Sequence, residues 1–371
     1  MTSSTTTGVD LLALTAELVD VASPSRHEAA LVDLIETRLR TAPHLEVTRV
    51  GDNVVARTRL GRPWRLVFGG HTDTVPADGN DRARMDGDRL HGLGSADMKG
   101  GLAVMLRLAL EVAEPTVDCT YVFYAREEVR AAESGLGELF AARPDLLEGD
   151  AVLLGEPTSG ALEAGCQGTM RLRVVLTGAR AHTARPWMGR NAVHRLAGLL
   201  GALDAYQERR PVIDGCEFRE ALLAVSVEGG VAGNVVPDEA VLVLNHRFAP
   251  DRTPAEAEAH VRDVLSPWLE PGDRIDVTES VAGAAPSHTH PLIATLVARH
   301  ALEVRAKLGW TDVARFAERG VPAANFGPGD AFVAHTRDEY LDRAHLEAVW
   351  QASLDLVTGG PDASRVESDA S

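Results

Sequence analysis

Apolar residues recur at helical spacing from Asp10 to Val19 and again from His27 to Leu39, and Ser23-Pro24-Ser25 breaks the pattern between them. The period then changes. Leu45–Val50 and Asn53–Thr58 read as strands, and Trp64–Phe68 is a short apolar run that stops at Gly69-Gly70. Such a run, bounded by glycines, suits a strand buried on both faces. An amphipathic stretch from Leu102 to Val112 predicts a helix, and Thr120–Tyr124 and Ala151–Leu154 predict two more strands. Strands alternating with helices predict an α/β fold on a central, mostly parallel sheet flanked by helices.

Near Gly168 the pattern shifts. Thr169–Thr177 alternates like a half-exposed strand, and Asn191–Arg210 is helical with Val193, Leu196, Leu200 and Leu203 on one face. Ala221–Glu228 and Ala240–Phe248 read as strands. Thr253-Pro254-Ala255-Glu256 is a capping box with proline at the first helical position, opening a helix to about Leu269, and Arg274–Val281 is a last strand. The order β-α-β-β-α-β is that of a ferredoxin-like domain. It predicts an inserted domain at 168–284 that divides an α/β domain into a first part, 1–167, and a second, 285–371. In the second part a helix from Pro291 to about Leu308, a strand at Pro322–Phe326 and a helix from Arg343 to Val357 are expected. Residues 1–8 and the tail from about Gly359 are small and polar, and are expected to be disordered.

A chain of 371 residues accommodates two such domains. Its net charge of −17 argues against a nucleic-acid partner, since no basic surface is available to neutralise phosphates. No apolar run is long enough to span a bilayer, and the opening MTSSTTTG lacks the parts of a signal peptide. Three scattered cysteines, Cys119, Cys166 and Cys216, form no CxxC pair. They fit a reducing compartment, so a cytoplasmic protein without a membrane association is expected.

Polar clusters fall just past the predicted strand ends. His71-Thr72-Asp73 follows the Trp64–Phe68 run, Glu127-Glu128 follows Tyr124, Glu156 follows Leu154, and His335 lies beyond the Pro322–Phe326 strand. Asp97 stands in Gly92-Leu93-Gly94-Ser95-Ala96-Asp97-Met98-Lys99-Gly100-Gly101, where alone it could merely cap the helix that follows. In open α/β sheets the carboxyl edge is where ligand crevices form. His71, Asp97, Glu127, Glu128, Glu156 and His335 are therefore expected to converge there. Imidazole and carboxylate are zinc-type ligands. Four acids in one crevice disfavour one another's ionisation unless cations intervene. Two divalent ions sharing one carboxylate satisfy this, and ions about 3.5–4 Å apart would polarise a carbonyl and hold a hydroxide. A further carboxylate near them would be the general base. Glu127 and Glu128, pointing oppositely on an extended chain, can split the ligand and base roles, and the spacing leaves open which takes which. Asp73 could accept the second N–H of His71 and fix its tautomer.

The motifs HTDTVP (71–76), GLGSADMKGG (92–101), AREE (125–128) and GEPT (155–158), with the late His335, resemble the dinuclear-zinc metallopeptidase and deacylase family. The resemblance spans nearly the whole chain, inserted domain included. It implies that His71, Asp97 and Glu156 hold one zinc, that Asp97, Glu128 and His335 hold the other, and that Glu127 is the base. Co2+ or Mn2+ are possible substitutes for the two Zn2+. It further implies a homodimer through the inserted domain, with His182 of Ala181-His182-Thr183 reaching across to stabilise the oxyanion. Asn234, Arg247, Thr169 and Gly329 match substrate-side positions, and Arg247 would suit a carboxylate by bidentate pairing. EAGCQGT (163–169), RAHTARPWMGRNA (180–192), GGVAGNVVPD (229–238), GWTDVARF (309–316) and NFGPGD (325–330) resemble the actinobacterial desuccinylase branch. The activity implied is amide hydrolysis of N-succinyl-L,L-2,6-diaminopimelate, with an acetylornithine or other N-acyl-amino-acid deacylase as the alternative. One departure is Gln167-Gly168-Thr169, near which many desuccinylases carry an arginine. The clamp for the distal carboxylate is therefore left open.

Overall fold

The computed structural model describes residues 10–362. Its first stretch carries α1 (Leu11–Val19), α2 (Ala29–Leu39), β1 (Glu46–Val50), β2 (Asn53–Arg57), β3 (Arg65–His71), β4 (Arg84–Asp86), β5 (Arg89–His91), α3 (Gly100–Glu111), β6 (Asp118–Tyr124), α4 (Gly135–Ala142), β7 (Ala151–Leu154) and β8 (Leu162–Ala164). The middle carries β9 (Gly168–Thr177), α5 (Ala192–Asp204), β10 (Val212–Ile213), β11 (Cys216–Glu217), β12 (Ala221–Gly229), β13 (Glu239–Phe248), α6 (Pro254–Leu265) and β14 (Arg274–Val281). The last stretch carries α7 (Pro291–His300), β15 (Val304–Ala306), α8 (Val313–Ala317), β16 (Ala323–Asn325), β17 (Tyr340–Asp342) and α9 (Arg343–Gly359).

Two units divide these elements. One comprises the chain up to Ala164, Ser287–Arg305 and everything from Arg315 on; the other comprises Gly165–Pro286 with Ala306–Ala314. In the first, eight strands form one sheet in the order β1-β2-β6-β3-β7-β16-β8-β15. Its centre, β6-β3-β7-β16, is parallel, while β1, β2 and β8 pair antiparallel. Every residue of β6 is buried, as a parallel strand covered on both faces requires. The helix α3 is buried nearly all round: Leu102, Leu106 and Leu108 are fully covered, each worth about 1.5–3 kcal/mol of burial. Because α3 starts three residues after Asp97, the loop holding that acid is tied to the centre of the core.

Strand β3 does not stop at Phe68. It runs on through Gly69 and Gly70 to His71, which pairs with Tyr124 of β6. Glycine permits this because the Met98 and Leu102 side chains occupy the space a side chain at Gly70 would need; a Cβ there would stand 2.5 Å from Met98 Cε. His71 is thus a strand residue rather than part of a following loop.

In the second unit, β12-β13-β9-β14 form an antiparallel sheet with the ferredoxin-like strand order. Leu172, Val174, Leu242 and Leu244 meet Leu196 and Leu199 of α5 and Val261 and Leu265 of α6 in its core. The Thr253–Glu256 capping box forms, with Thr253 Oγ1 accepting from the Glu256 N–H and the Glu256 carboxylate accepting from the Thr253 N–H. This unit extends a little beyond the expected 168–284 and also takes in Ala306–Ala314. The Gln167 N–H donates to the Lys307 carbonyl at 3.2 Å, and the Trp310 indole donates to the Ala282 carbonyl at 3.1 Å.

Besides α6, which stops at Leu265 rather than about Leu269, two helices end six or more residues before their expected ends. The first, α5, ends at Asp204 instead of Arg210; Arg209 and Arg210 turn instead to Glu220 and Glu217, and Pro211 follows. The second, α7, ends at His300, where Ala301 takes a left-handed conformation (φ 47°) and the chain enters β15 instead of continuing to Leu308. The expected disorder at residues 1–8 and in most of the tail lies outside the described residues. The start of that tail is held: α9 runs through Gly359, and Asp362 pairs with Arg299 at 2.5 Å. Among the described residues no helix is long and apolar enough to cross a membrane.

Candidate metal centre

His71 closes β3 with only 1% of its surface exposed. Its Nδ1 faces acceptors alone, the Asp73 backbone carbonyl at 3.0 Å and the Asp73 carboxylate at 3.5 Å. That nitrogen therefore carries the proton in the neutral ring, and Nε2 presents a lone pair toward Asp97 Oδ1, 3.0 Å away. The second Asp97 oxygen lies 3.4 Å from His335 Nε2, and the same nitrogen lies 2.6 Å from Glu128 Oε1. The Asp97–Met98 peptide is cis.

Glu127 and Glu128 follow β6, and Asp73 holds both by their backbones. Its Oδ1 accepts the Glu127 N–H at 2.9 Å; its Oδ2 accepts the Glu128 N–H at 3.0 Å and the Ser25 hydroxyl at 2.8 Å. Asp73 thus has a task beyond orienting His71. Just before the pair, Arg126 adopts φ +60°, with its N–H on Glu28 at 3.1 Å and its guanidinium on Glu138 at 2.7 Å. Glu156, 6% exposed, follows β7.

Ligand atoms of His71, Asp97 and Glu156 lie within 4.8 Å of one another, as do those of Asp97, Glu128 and His335 and those of His71, Glu127 and Glu128. The first two groups are the pair of ligand sets implied by the sequence motifs, and Asp97 belongs to both. All donors are imidazole nitrogens or carboxylate oxygens, so the set fits divalent ions of the zinc type. The electrostatics point the same way. Burial opposes a charged His71, but Asp73 and Asp97 outweigh it and hold its pKa well above the usual histidine value. Hydrogen bonds to Asp97 and Glu128 raise His335 to about 10. Burial likewise opposes ionised Asp97 and Asp73. His335 and His71 nonetheless hold Asp97 well below the usual carboxylate range, and His71 and the Glu127 N–H hold Asp73 at about 2. The acids retain positive charge strongly, which is what a cation site requires.

Sequence reasoning missed Ser25, Glu28 and Glu339. Glu339 is buried, which raises it to about 7, and accepts from the backbone of the Asp97 loop. Ser25 belongs to the Ser23-Pro24-Ser25 helix break and Glu339 stands four residues after His335, and no spacing marks either. Gly329 packs against the same loop: a Cβ there would stand 2.1 Å from the Ala96 carbonyl oxygen.

The remaining candidates lie in the second unit. Thr169 of β9 is the register partner of Arg247 of β13. Burial lowers the pKa of the half-buried Arg247 guanidinium, with Glu279 opposing. His182 is exposed; its Nδ1 accepts the Ala184 N–H at 3.0 Å, which leaves Nε2–H as a donor in the neutral ring. The Thr183 N–H donates to the Asn234 carbonyl at 3.1 Å, joining the loops of His182 and Asn234. Gln167 is fully buried and donates to the Arg219 carbonyl at 2.8 Å.

The sequence matches peptidase family M20/M25/M40 over residues 67–358. A DapE protein of Mycobacterium tuberculosis, provisionally named a succinyl-diaminopimelate desuccinylase, is 49% identical over 344 residues, covering 91% of this chain and 95% of that one. The succinyl-diaminopimelate desuccinylase of Corynebacterium glutamicum is 43% identical over 349 residues, with 91% and 95% covered. Among solved structures, a tripeptidase from Staphylococcus aureus superposes with a TM-score of 0.77 at 21% identity, covering 94% of this chain and 97% of that one. The Bacillus subtilis YXEP protein, a dinuclear metal binding peptidase from the M20 family, gives 0.68 at 15% identity, with 94% and 96% covered. The last two likenesses are of fold.

Proposed function

The chain belongs to peptidase family M20/M25/M40, and on that premise we propose how its residues carry out the reaction of its nearer relatives. The protein is a succinyl-diaminopimelate desuccinylase: it hydrolyses the succinyl amide of N-succinyl-L,L-2,6-diaminopimelate to succinate and L,L-diaminopimelate, a step toward lysine and diaminopimelate. The observation that carries the mechanism is the pair of ligand groups with Asp97 in common. His71, Asp97 and Glu156 would hold one zinc ion, and Asp97, Glu128 and His335 would hold the other. When bound, such a pair supplies Lewis-acid polarisation of the amide carbonyl and acidifies water. Glu127 takes the proton of the attacking water on its carboxylate and delivers it to the leaving amine nitrogen. Asp73 keeps Glu127 in place through the backbone and His71 in the tautomer with Nε2 free. Arg247, with Thr169 beside it, takes a substrate carboxylate.

The protein acts as a homodimer through its second unit, and His182 Nε2–H of one protomer donates to the developing oxyanion in the other. Support for the dimer comes from β12, an edge strand on which Leu223, Val225 and Val227 are each more than half exposed. The compartment is the cytoplasm, in keeping with three free cysteines. A substrate panel with zinc present tests the reaction: succinate release from succinyl-diaminopimelate should far exceed acetate release from acetylornithine. The reverse order would assign the protein to the acetyl branch.

A further inference from the structure

We propose that Glu339 is the positioning residue of the shared ligand, fixing Asp97 through its backbone so that both ion sites close on one point. The inference rests on the metal-centre reading above. Glu339 precedes β17, which pairs with β5, the strand from which the Asp97 loop departs. Its backbone carbonyl accepts the Gly92 N–H at 3.1 Å. Its side chain reaches the other end of the same loop, where Oε1 accepts the Ala96 N–H at 2.9 Å and the Asp97 N–H at 3.1 Å. One residue therefore grips both ends of the segment from Gly92 to Asp97.

That segment needs an outside hold. Gly92 and Gly94 take φ values of +148° and +79°, so its path is one that its own sequence does not enforce. The Asp97 carboxylate cannot supply the hold either, because its partners are His71 and His335, themselves ligands. Meanwhile Glu339 is 1% exposed, and its Oε2 is buried without a hydrogen-bond partner. Burying a carboxylate so incompletely paired is unfavourable. The side chain spends its one bonded oxygen on the amides that place the bridging acid.

Zinc binding by the full-length protein, measured against a competing chelator, tests this. Wild type should take two ions. Glu339→Ala should weaken both together, by about 10–100-fold, the usual effect of losing an outer partner of a metal ligand. Glu156→Ala and His335→Ala should each weaken mainly one. Glu339→Gln keeps an acceptor oxygen at the same reach and should bind zinc like wild type, whereas Glu339→Asp keeps the charge but falls one methylene short and should behave like Glu339→Ala. Thermal melts in chelator should coincide for wild type and Glu339→Gln, and Glu339→Asp should melt lower but still cooperatively, so that zinc affinities are compared on folded protein. Unchanged zinc affinity in Glu339→Asp would overturn the proposal, and so would a Glu339→Gln variant that binds as weakly as Glu339→Asp. This last pair decides even where Glu339→Ala fails to fold. A wild-type protein that takes no zinc would instead remove the metal centre itself.

Discussion

At the scale of single residues, the duties proposed for the neighbours Glu127 and Glu128, base and ligand, can be separated by substitution. Replacing Glu127 with Gln removes only the base, so turnover should fall by about 10²–10⁴-fold while metal analysis still finds both ions. Full turnover with both ions retained would transfer the base role elsewhere. Protons offer a second measurement. Asp97 and Glu128 raise His335 to about 10, and Asp73 and Asp97 hold His71 above its usual pKa, so both neighbourhoods favour a proton on the ring. A metal ligand must be neutral, so zinc uptake near pH 7 should release protons and the affinity should fall as the pH falls. Titration calorimetry in buffers of different ionisation enthalpy reads this release directly; heats independent of the buffer would contradict it. The residues that the structure brings together at the candidate centre were legible in the sequence because histidines and acids are conspicuous after strand ends. Ser25, Glu28 and Glu339 were not: Glu28 and Glu339 accept backbone N–H groups and Ser25 donates to the Asp73 carboxylate, all across long stretches of sequence, and such contacts leave no spacing to read.

Among the elements, strands and helices followed their apolar periods, and the departures have local causes. The pattern marked Asn191–Arg210 and Pro291–Leu308 as single helices, since apolar residues persisted at helical spacing beyond the true ends. What stopped them was a turn to other partners: arginines pairing with Glu217 and Glu220 in one case, a left-handed Ala301 in the other. The Gly69-Gly70 pair read as a terminator and proved to be the interior of β3, because its neighbours fill the space a side chain would take. Close approach also governs Gly329. A methyl group at that position would drive into the Ala96 carbonyl, so Gly329→Ala should lower stability by about 1–3 kcal/mol in denaturant unfolding and weaken zinc binding with it. Unfolding and binding both unchanged would mean that the loop yields freely there.

For the whole molecule, the inserted β-α-β-β-α-β unit was legible as a change of pattern, but its full extent was not, since Ala306–Ala314 joins it from far along the chain. The proposed dimer rests on the exposed edge of β12. Aspartate at Leu223 and Val227 should yield monomers in sedimentation and abolish activity without unfolding either unit; active monomers would show that each site is complete in its own chain. Mixing His182→Ala and Asp97→Ala protomers tests the same point from the other side, since only a site shared between chains recovers activity.

The continuation of β3 to His71 bears on the order in which the ions leave. His71 is the last β3 residue in register with β6, and its buried N–H donates to Met98 Sδ at 3.3 Å, so its amide should exchange with deuterium only as the core around it opens. His335 sits half-exposed in a segment of turns, at φ +61°, and no strand anchors it. Stepwise chelation should therefore strip the ion proposed for Asp97, Glu128 and His335 first, and the one proposed for His71, Asp97 and Glu156 only later; simultaneous loss would contradict this.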